Sequence, residues 1–358
     1  MIKPEDARFH VPDADKPLWA ETNYFGFYNA QRGINIGVYA LFRTQLRTVN
    51  SSICVSSRFA VTPWEADYVD WQASIPMPAD CDLLDYSLPN GLRVKTLEPN
   101  MAWHIRFDDA DQLKIDVTYR AIMPPFDIHD PEQDPMVAAA SAAGKFAWGT
   151  AYNGHFDQSG HFEGQVVLRG EQIPIDCVST MDHSWGPRPE RGAPNMSWLH
   201  AHVSKDLAVH AIFGFDPAVD DGALSLTHGY VVERGQVFGF KAGKGKVLRK
   251  VDRYADTVEL ELTDSEDRVW KLRGKGMTSF PWPCYANTVG FNVLARWDVN
   301  GEVGYGELRV LRTARADPAQ RRCAHPPPDP RLSLEDAQAH ERSHPRPRRP
   351  VRPRRHAG

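Results

Sequence analysis

Cysteine is scarce in this chain of 358 residues, and the five cysteines are scattered along it. They never form the Cys-x-x-Cys spacing of zinc ribbons and thiol oxidoreductases. An odd number of distant thiols does not build the disulfide framework of a small secreted domain. The sequence therefore predicts reduced, structural thiols in a cytoplasmic protein.

Long apolar runs and several catalytic motifs are missing as well. No stretch approaches eighteen uninterrupted apolar residues, and Met1–Arg8 holds no apolar run after its first charge. We therefore expect neither a membrane span nor a secretion signal. The chain also lacks a glycine-rich phosphate loop, Gly-x-Ser-x-Gly and His-Glu-x-x-His. Nucleotide-dependent, serine-hydrolase and zincin chemistry thus have no support.

Excess positive charge is confined to one end of the chain. Residues 313–358 contain eleven Arg, five Asp or Glu and no Lys, a net charge of +6, which leaves −10 for residues 1–312 of the total of −4. An acidic body argues against a nucleic-acid surface. The Arg- and Pro-rich end has no hydrophobic periodicity, so we predict a disordered, dispensable tail over 313–358.

Short β-strands dominate what is present. Tyr24–Phe42 alternates bulky and small residues around a turn at Asn29–Gly33, which is typical of a hairpin. Ser197–Phe213 repeats this pattern in the same register, as an internal duplication would. Further strands are predicted at Ile53–Val61, Leu92–Leu97, Met101–Phe107 and Gln112–Arg120. Strands spaced in this way favour a barrel or sandwich, and Ala-rich Met136–Phe146 is predicted to be the one short helix.

Candidate catalytic side chains are most concentrated in Met181–Arg188, which holds an acid, an imidazole, an indole and a guanidinium. The segment lies at the end of a predicted strand, before the turn residues Gly186 and Pro187. Asp182 could donate a proton if burial raises its pKa, His183 could relay one, and the face of Trp185 could stabilise a cation. A structural interpretation uses the same residues. Asp182 and Arg188 would brace the turn as an ion pair, and Trp185 would plug one end of a barrel.

A second group of polar residues follows on the next predicted strand. Trp198, His200 and His202 share one face of it. With Asp206, the two histidines match part of the metal motif of cupin barrels, but the second cupin motif is missing. We therefore predict no metal and interpret the histidines as lining a barrel. The residues expected to line a ligand site are Trp198, His200, His202, His210, Tyr230 and Arg188.

Two segments carry a family resemblance. Gly154–Gly170, followed by Asp182-His-Ser-Trp-Gly-Pro-Arg188, resembles the carotenoid hydratase (hydroxyneurosporene synthase) and AttH-like superfamily. The resemblance implies an all-β fold of tandem lipocalin-like (calycin) antiparallel β-barrels. It also implies that His183 and Trp185 are catalytic and that Asp182 is the acid of the motif. Ser184 stands where the carotenoid hydratases have Asn, and the substrate does not carry over.

This resemblance leads to specific expectations for domains and function. We expect an irregular lead-in at 1–22, a first barrel at 23–180, a second at 181–312 and the tail at 313–358. The function expected is that of a cofactor-independent hydratase, a hydro-lyase, or a related lyase or isomerase. It would act by acid catalysis on a lipophilic isoprenoid or steroid-like substrate. The alternative is a non-catalytic carrier of a hydrophobic small molecule, and transient membrane contact for ligand exchange is compatible with either.

Overall fold

The computed structural model describes residues 1–12, 18–143, 153–188, 195–215, 222–250, 254–285 and 288–313. These residues form nineteen β-strands, one α-helix and three short 3-10 helices. Neighbouring strands pair antiparallel throughout both sheets. The predicted all-β class is therefore confirmed. Within these ranges no helix combines the length and the hydropathy needed to cross a membrane.

The N-terminal half of the chain forms the first sheet. Its strands are β1 (Trp19–Asn29), β2 (Ile34–Arg43), β3 (Thr48–Ser56), β4 (Tyr68–Pro76), β5 (Asp85–Ser87), β6 (Arg93–Glu98), β7 (Ala102–Asp109), β8 (Leu113–Ala121), β9 (Phe126–Asp127), β10 (Gly154–Leu168) and β11 (Glu171–Pro187). They pair in the order β4-β3-β2-β1-β11-β10-β8-β7-β6-β5, and β9 adds to β10. The first strand therefore pairs with the last, as in an up-and-down barrel.

This first sheet curls around one hydrophobic core but has an open seam between β4 and β5, which share no backbone ladder. Side chains bridge strands across the region. The Tyr68 hydroxyl on β4 donates to Asp109 Oδ2 on β7 at 2.8 Å, and the Asn90 amide donates to Asp70 Oδ2 on β4 at 2.6 Å. The first sheet is thus a curled half-barrel, open between β4 and β5 and bridged near this opening by side-chain hydrogen bonds.

The second sheet is a closed barrel of eight strands. These are β12 (Met196–Ser204), β13 (Leu207–Gly214), β14 (Ala223–Glu233), β15 (Gln236–Lys250), β16 (Tyr254–Asp264), β17 (Val269–Tyr285), β18 (Thr288–Val299) and β19 (Glu302–Thr313). The first strand again pairs with the last, β12 with β19. Apolar side chains such as Leu199, Val209 and Trp297 fill the interior. Closure leaves no edge strand, in agreement with the barrel predicted from the sequence.

Both predicted hairpins are confirmed, and each opens its own sheet: β1 with β2, and β12 with β13. The boundary between the sheets differs from the predicted one at 180/181. Strand β11 runs on to Pro187, because its last residues pair with β1 as far as Trp19. The motif at Asp182–Pro187 therefore belongs to the first sheet, and the barrel begins only at Met196.

The predicted helix is present as α1 (Pro135–Ala142). Pro135 occupies its first turn, and the Asp134 side chain caps it by accepting from the backbone N–H of Met136 at 2.9 Å. Residues 144–146 of the prediction lie outside the described residues, as does the tail beyond Thr313. The lead-in at 1–22 contains a 3-10 helix at Pro4–Ala7, and β1 already begins at Trp19.

Burial separates two kinds of strand. Strand β8 alternates buried and exposed residues, so one of its faces meets water. Strands β1, β2, β12 and β13 are buried on both faces along nearly their whole length. The reason is that the outer face of the first sheet packs on the outer face of the barrel. For example, the Tyr24 hydroxyl on β1 donates to Glu307 Oε2 on β19 at 2.6 Å.

Candidate functional site

Strand alternation divides the Asp182–Arg188 motif between two environments. Successive side chains of a strand point to opposite faces. His183 and Trp185 face the core of the first sheet, whereas Asp182 and Ser184 face the barrel. The sequence predicted that Asp182, His183 and Trp185 lie in one catalytic site. The structure corrects this, because the strand continues through the motif where a turn would have let all three side chains converge.

On the core face, His183 anchors the N-terminal segment. Its Nδ1 lies 2.7 Å from the carbonyl oxygen of Thr22, and its Nε2 lies 3.1 Å from that of Asp6. Burial lowers the pKa of His183 to about 4, so the imidazole is neutral at pH 7. A neutral imidazole carries one N–H, so one ring nitrogen donates to a carbonyl oxygen and the other only lies beside the second carbonyl. These contacts with the N-terminal segment and β1 give His183 a structural role.

Trp185 closes this end of the first sheet. Its ring stacks on His10, with centroids 4.1 Å apart and planes 9° from parallel. The His10 backbone N–H in turn donates to Glu21 Oε1 at 2.7 Å. On the other side the indole covers Gly154, where a Cβ atom would lie only 2.0 Å from Trp185 Cζ2. This geometry matches the plug that the structural interpretation of the motif expects.

The opposite face of the same strands carries polar side chains. Tyr24, Asp182 and Asp157 lie side by side on β1, β11 and β10, because they are register partners. Opposite them, the outer face of the barrel contributes histidines and an Arg. We call the following set the interface cluster: His155, Asp157, Asp182, His200, His202, His210, His228, Tyr230 and Arg309. All of its members are buried.

The predicted ligand-site residues of the barrel lie together, but on its outer face. Trp198, His200, His202, His210 and Tyr230 are at most 4% exposed and point toward the first sheet. His202 Nε2 and the Tyr230 hydroxyl lie 3.3 and 3.2 Å from Ser159 Oγ on β10. The prediction that these histidines line the barrel interior is therefore wrong. The alternation in the sequence correctly showed that these side chains share one face of the strand. The apolar residues that alternate with them, such as Leu199 and Val209, form the face that fills the barrel interior.

Asp157 is the centre of the interface cluster. Its Oδ2 lies 3.0 Å from His155 Nε2, 3.1 Å from His210 Nε2 and 3.8 Å from His228 Nε2. Burial alone would raise the pKa of Asp157, but the neighbouring His210 and His155 hold it well below its ordinary range, and His155 does so also through its hydrogen bond. Burial also lowers the pKa of His155, and here Asp157 more than reverses the effect. The two groups therefore form a buried ion pair.

Asp182 behaves in the opposite way. Burial raises its pKa to about 6, against the opposing effects of His155 and Arg309. The nearest Arg309 nitrogen, Nη1, is 3.9 Å from Asp182 Oδ2. Arg309 also lies over the rings of Tyr24 and Trp282, at 3.8 and 4.8 Å from their centroids. Asp182 thus keeps a proton closer to neutral pH than an ordinary Asp does.

Arg188, which the sequence paired with Asp182, lies at the end of the same strand. Its guanidinium is buried, and Nη2 donates to Ser184 Oγ. The Ser184 hydroxyl also lies 2.6 Å from Thr22 Oγ1 on β1. The Arg188 charge acts to lower the pKa of Asp182, but less than His155 and Arg309 do. Arg188 therefore borders the interface cluster through Ser184.

Several residues of the cluster escaped the sequence analysis. His155 and Asp157 lie within Gly154–Gly170, the segment that carries the family resemblance, but they were not among the predicted site residues, and the structure places them in β10. His228 belongs to no motif in the sequence, and its acidic partner Asp134, which lies outside the cluster, is the cap of α1. Arg309 had a visible signal, since Glu307 and Arg309 are the charged residues of the otherwise apolar segment Tyr305–Leu311. A buried strand that carries charge on alternate positions indicates a polar interface.

Donor atoms suited to a metal ion occur in two groups of the described residues. One group is His10, Glu21 and His183, and the other is Asp157, His210 and His228, with the atoms of each group within 4.8 Å of one another. In the first group the ring nitrogens of His183 already face backbone carbonyls. The pair His200 and His202 with Asp206, which matches part of a cupin motif but was predicted to bind no metal, is not among these groups.

Comparisons with solved structures show the fold. A Nitrosomonas europaea protein provisionally named AttH is 12% identical with a TM-score of 0.58, and the match covers 87% of this chain and 96% of that one. CghA, solved with Sch210972, is 11% identical with a TM-score of 0.50, covering 83% and 89%. Kievitone hydratase from Nectria haematococca is 16% identical, covering 84% and 90%, with a TM-score of 0.46.

The first two similarities confirm that the architecture is shared with an AttH-like protein, and at such low identity they concern the fold alone. A search of curated proteins finds no match for the chain. A family model, described as a domain of unknown function, DUF7064, matches residues 3–314. Because this match spans both the first sheet and the barrel, the chain belongs to the DUF7064 family.

Proposed function

We propose that the protein is an enzyme of the hydratase, lyase or isomerase type that transfers a proton from Asp182 to a lipophilic substrate. The observation that carries this proposal is the pairing of Asp182 with Asp157 across β11 and β10. Like charges placed directly opposite each other on neighbouring strands are destabilising. Two buried carboxyls in this position are better explained by chemistry than by stability.

The surroundings of the two carboxyls shift their pKa values in opposite directions, down for Asp157 and up for Asp182. Asp157 is fully buried and lies within hydrogen-bonding distance of His155. The Asp182 side chain retains 13% exposure, and burial raises its pKa to about 6 despite the opposing charges of His155 and Arg309. Pairs of acids whose environments push their pKa values apart are typical of acid–base sites. Asp182 is therefore the group that can reach a substrate with its proton.

Addition of water to an alkene fits this arrangement. The Asp182 carboxyl donates its proton to one alkene carbon, water adds to the cationic carbon, and the water then loses a proton to the carboxylate. Dehydration runs the same steps in reverse, and an isomerase would remove a proton from a different carbon. A positioned general acid contributes roughly 10²–10⁴ in rate.

The aromatic side chains of the interface suit a lipophilic, cation-forming substrate such as an isoprenoid or steroid-like alkene. Tyr24 and Trp282 already present ring faces to the Arg309 guanidinium. Such faces attract positive charge through the ring quadrupole. They supply the role that the sequence analysis gave to Trp185, which instead packs in the core of the first sheet.

A non-catalytic carrier is the second candidate function. It is favoured by the packing of Trp185 and His183, which leaves two of the three motif residues with structural roles. A carrier would need the aromatic interface but not a carboxyl that holds its proton near neutral pH.

Native mass spectrometry of lipids that co-purify with the protein separates the two. We expect a bound lipid to acquire heavy oxygen during incubation in ¹⁸O-labelled water, or deuterium in heavy water if the enzyme is an isomerase. The Asp182→Asn variant should retain the lipid without labelling it. A lipid that stays unlabelled in both waters with the wild-type chain would contradict the enzyme and support the carrier.

A further inference from the structure

We propose that Asp157, His210 and His228 bind one divalent transition-metal ion of the zinc class between the first sheet and the barrel. Asp157 comes from β10, His210 from β13 and His228 from β14. The inference goes beyond the proposed function and departs from the expectation of a metal-free protein. It concerns different residues from the His200 and His202 pair considered in the sequence.

The two distances from the Asp157 oxygen to the imidazole nitrogens are close to those of a tetrahedral ion, and all three donor atoms lie within 4.8 Å of one another. Ligands about 2.0–2.2 Å from zinc in a tetrahedral site are separated by about 3.3–3.6 Å. Asp157 Oδ2 lies 3.1 Å from His210 Nε2 and 3.8 Å from His228 Nε2. Shifts of a few tenths of an ångström would bring both pairs into the required range. All three side chains are fully buried.

The Nδ1 atoms of His210 and His228, which point away from Asp157, contact further side chains. His228 Nδ1 is hydrogen-bonded to Asp134 Oδ2, and Asp134 is itself fully buried. His210 Nδ1 lies 3.0 Å from His200 Nδ1. A carboxylate on the far nitrogen of a His is the usual second shell of a zinc ligand, because it fixes the tautomer and the ring orientation. Both histidines thereby present Nε2 to Asp157.

Two buried polar atoms of these three side chains have no hydrogen-bond partner among the described residues. Asp157 Oδ1 accepts none from the described residues, and His210 Nε2 approaches Asp157 without the geometry of a hydrogen bond. Buried polar atoms in folded proteins are normally paired. A cation bound by Asp157 Oδ2 and His210 Nε2 would give the unpaired His210 nitrogen a partner, and it would also offset the buried acidic groups Asp134, Asp157 and Asp182.

The donor set indicates the class of ion. Two imidazole nitrogens and one carboxylate oxygen suit zinc and neighbouring first-row metals, whereas calcium and magnesium prefer oxygen ligands alone. Three protein ligands leave a position open, which is the arrangement of catalytic rather than closed structural zinc sites. His155, which contacts the same carboxylate oxygen, would position Asp157.

The test is titration of the full, chelator-treated chain with Zn²⁺, followed by calorimetry and by metal analysis after dialysis. We expect one ion per chain in the wild type. His210→Gln and His228→Gln should each weaken binding at least about 100-fold, and Asp134→Asn about 10–100-fold. His202→Gln is the matched control, because His202 is equally buried in the same cluster but contacts Ser159 instead.

Binding that survives both His210→Gln and His228→Gln would overturn the proposal, since it must then occur elsewhere, for example at the four histidines of residues 314–358. Equal loss in His202→Gln would also overturn it, as would a wild-type chain that binds no ion. If a variant fails to fold, visible absorption of Co²⁺ added to the wild type decides, and the absence of a protein-bound Co²⁺ band refutes the site. Because no substrate is used, these outcomes are independent of the proposed reaction.

Discussion

The side chains on the two faces of the last residues of β11 lie in different surroundings, although they belong to one sequence motif. Asp182 faces a buried polar layer with Asp157 and Arg309 nearby. His183, the next residue, faces the first sheet's core and is bonded to backbone carbonyls. One face thus carries groups whose charge state can change, and the other carries groups that hold the chain together. Residues adjacent in a strand therefore cannot be assumed to share a site.

The largest expected effect concerns turnover on the polar face. Asp182→Asn should lower the rate by roughly 10²–10⁴, because the amide cannot donate the acid proton. The melting temperature should change little, since the amide keeps the size of the side chain. The rate would be measured with the co-purified lipid as substrate.

His183→Gln is the matched control on the core face. It should keep the turnover per folded molecule, because His183 does not reach the interface. If His183→Gln is inactive but stable while Asp182→Asn stays active, the assignment of catalysis to Asp182 and of a structural role to His183 is contradicted.

Trp185→Ala should cost about 3–5 kcal/mol in the free energy of unfolding, as other large-to-small core substitutions do. The reason is that the indole stacks on His10 and covers Gly154. Denaturant unfolding measures the change. Trp64→Ala serves as the control, because that side chain is 90% exposed and its removal should shift stability by only about 0.5 kcal/mol or less. Equal losses in the two variants would mean that Trp185 does not close the sheet.

The folding stability should fall as the pH drops from about 6.5 to about 4. In this window the unfolded chain protonates His183, whose ordinary pKa is 6.5, while the folded chain does not, because burial lowers the pKa to about 4. The contribution is fully present above the unfolded pKa and amounts to roughly 3 kcal/mol lost by pH 4. Unfolding of wild type and His183→Gln at several pH values isolates it. Parallel curves for the two proteins would show that His183 is not buried as a neutral group.

Gly154→Ala should have the smallest effect, about 1–3 kcal/mol, through overpacking. The new methyl group would collide with the Trp185 indole. Gly214→Ala is the control on another strand, where the nearest atom, Thr227 Cγ2, leaves ordinary contact distance at 3.6 Å. Thermal melts compare them, and a neutral Gly154→Ala would place the indole elsewhere.

Much of the fold could be predicted from the sequence. Hairpins such as Tyr24–Phe42 carry both the alternation and the turn residues that determine them. The end of β11 could not be located, because Gly186 and Pro187 are turn formers that here end a long strand paired with β1. The open seam between β4 and β5 was equally hidden, since it depends on tertiary side-chain contacts such as that of Tyr68 with Asp109.

The site could be predicted only in part. The sequence identified Asp182 and the barrel residues His200, His202, His210 and Tyr230, and all of them lie in the interface cluster. It could not show that these side chains lie on the outer face of the barrel. A period of two residues shows which side chains share a face of a strand, but not which face points into the barrel. His228 and Asp134 lie 94 residues apart in sequence, so their contact appears only in the folded chain.

A crystal structure of the protein with its co-purified lipid tests the central claim most directly. We expect lipid density between the first sheet and the barrel, in contact with Asp182 and the rings of Tyr24 or Trp282. Density inside the closed barrel, among Leu199, Val209 and Trp297, or inside the first sheet beside Trp185, would contradict it.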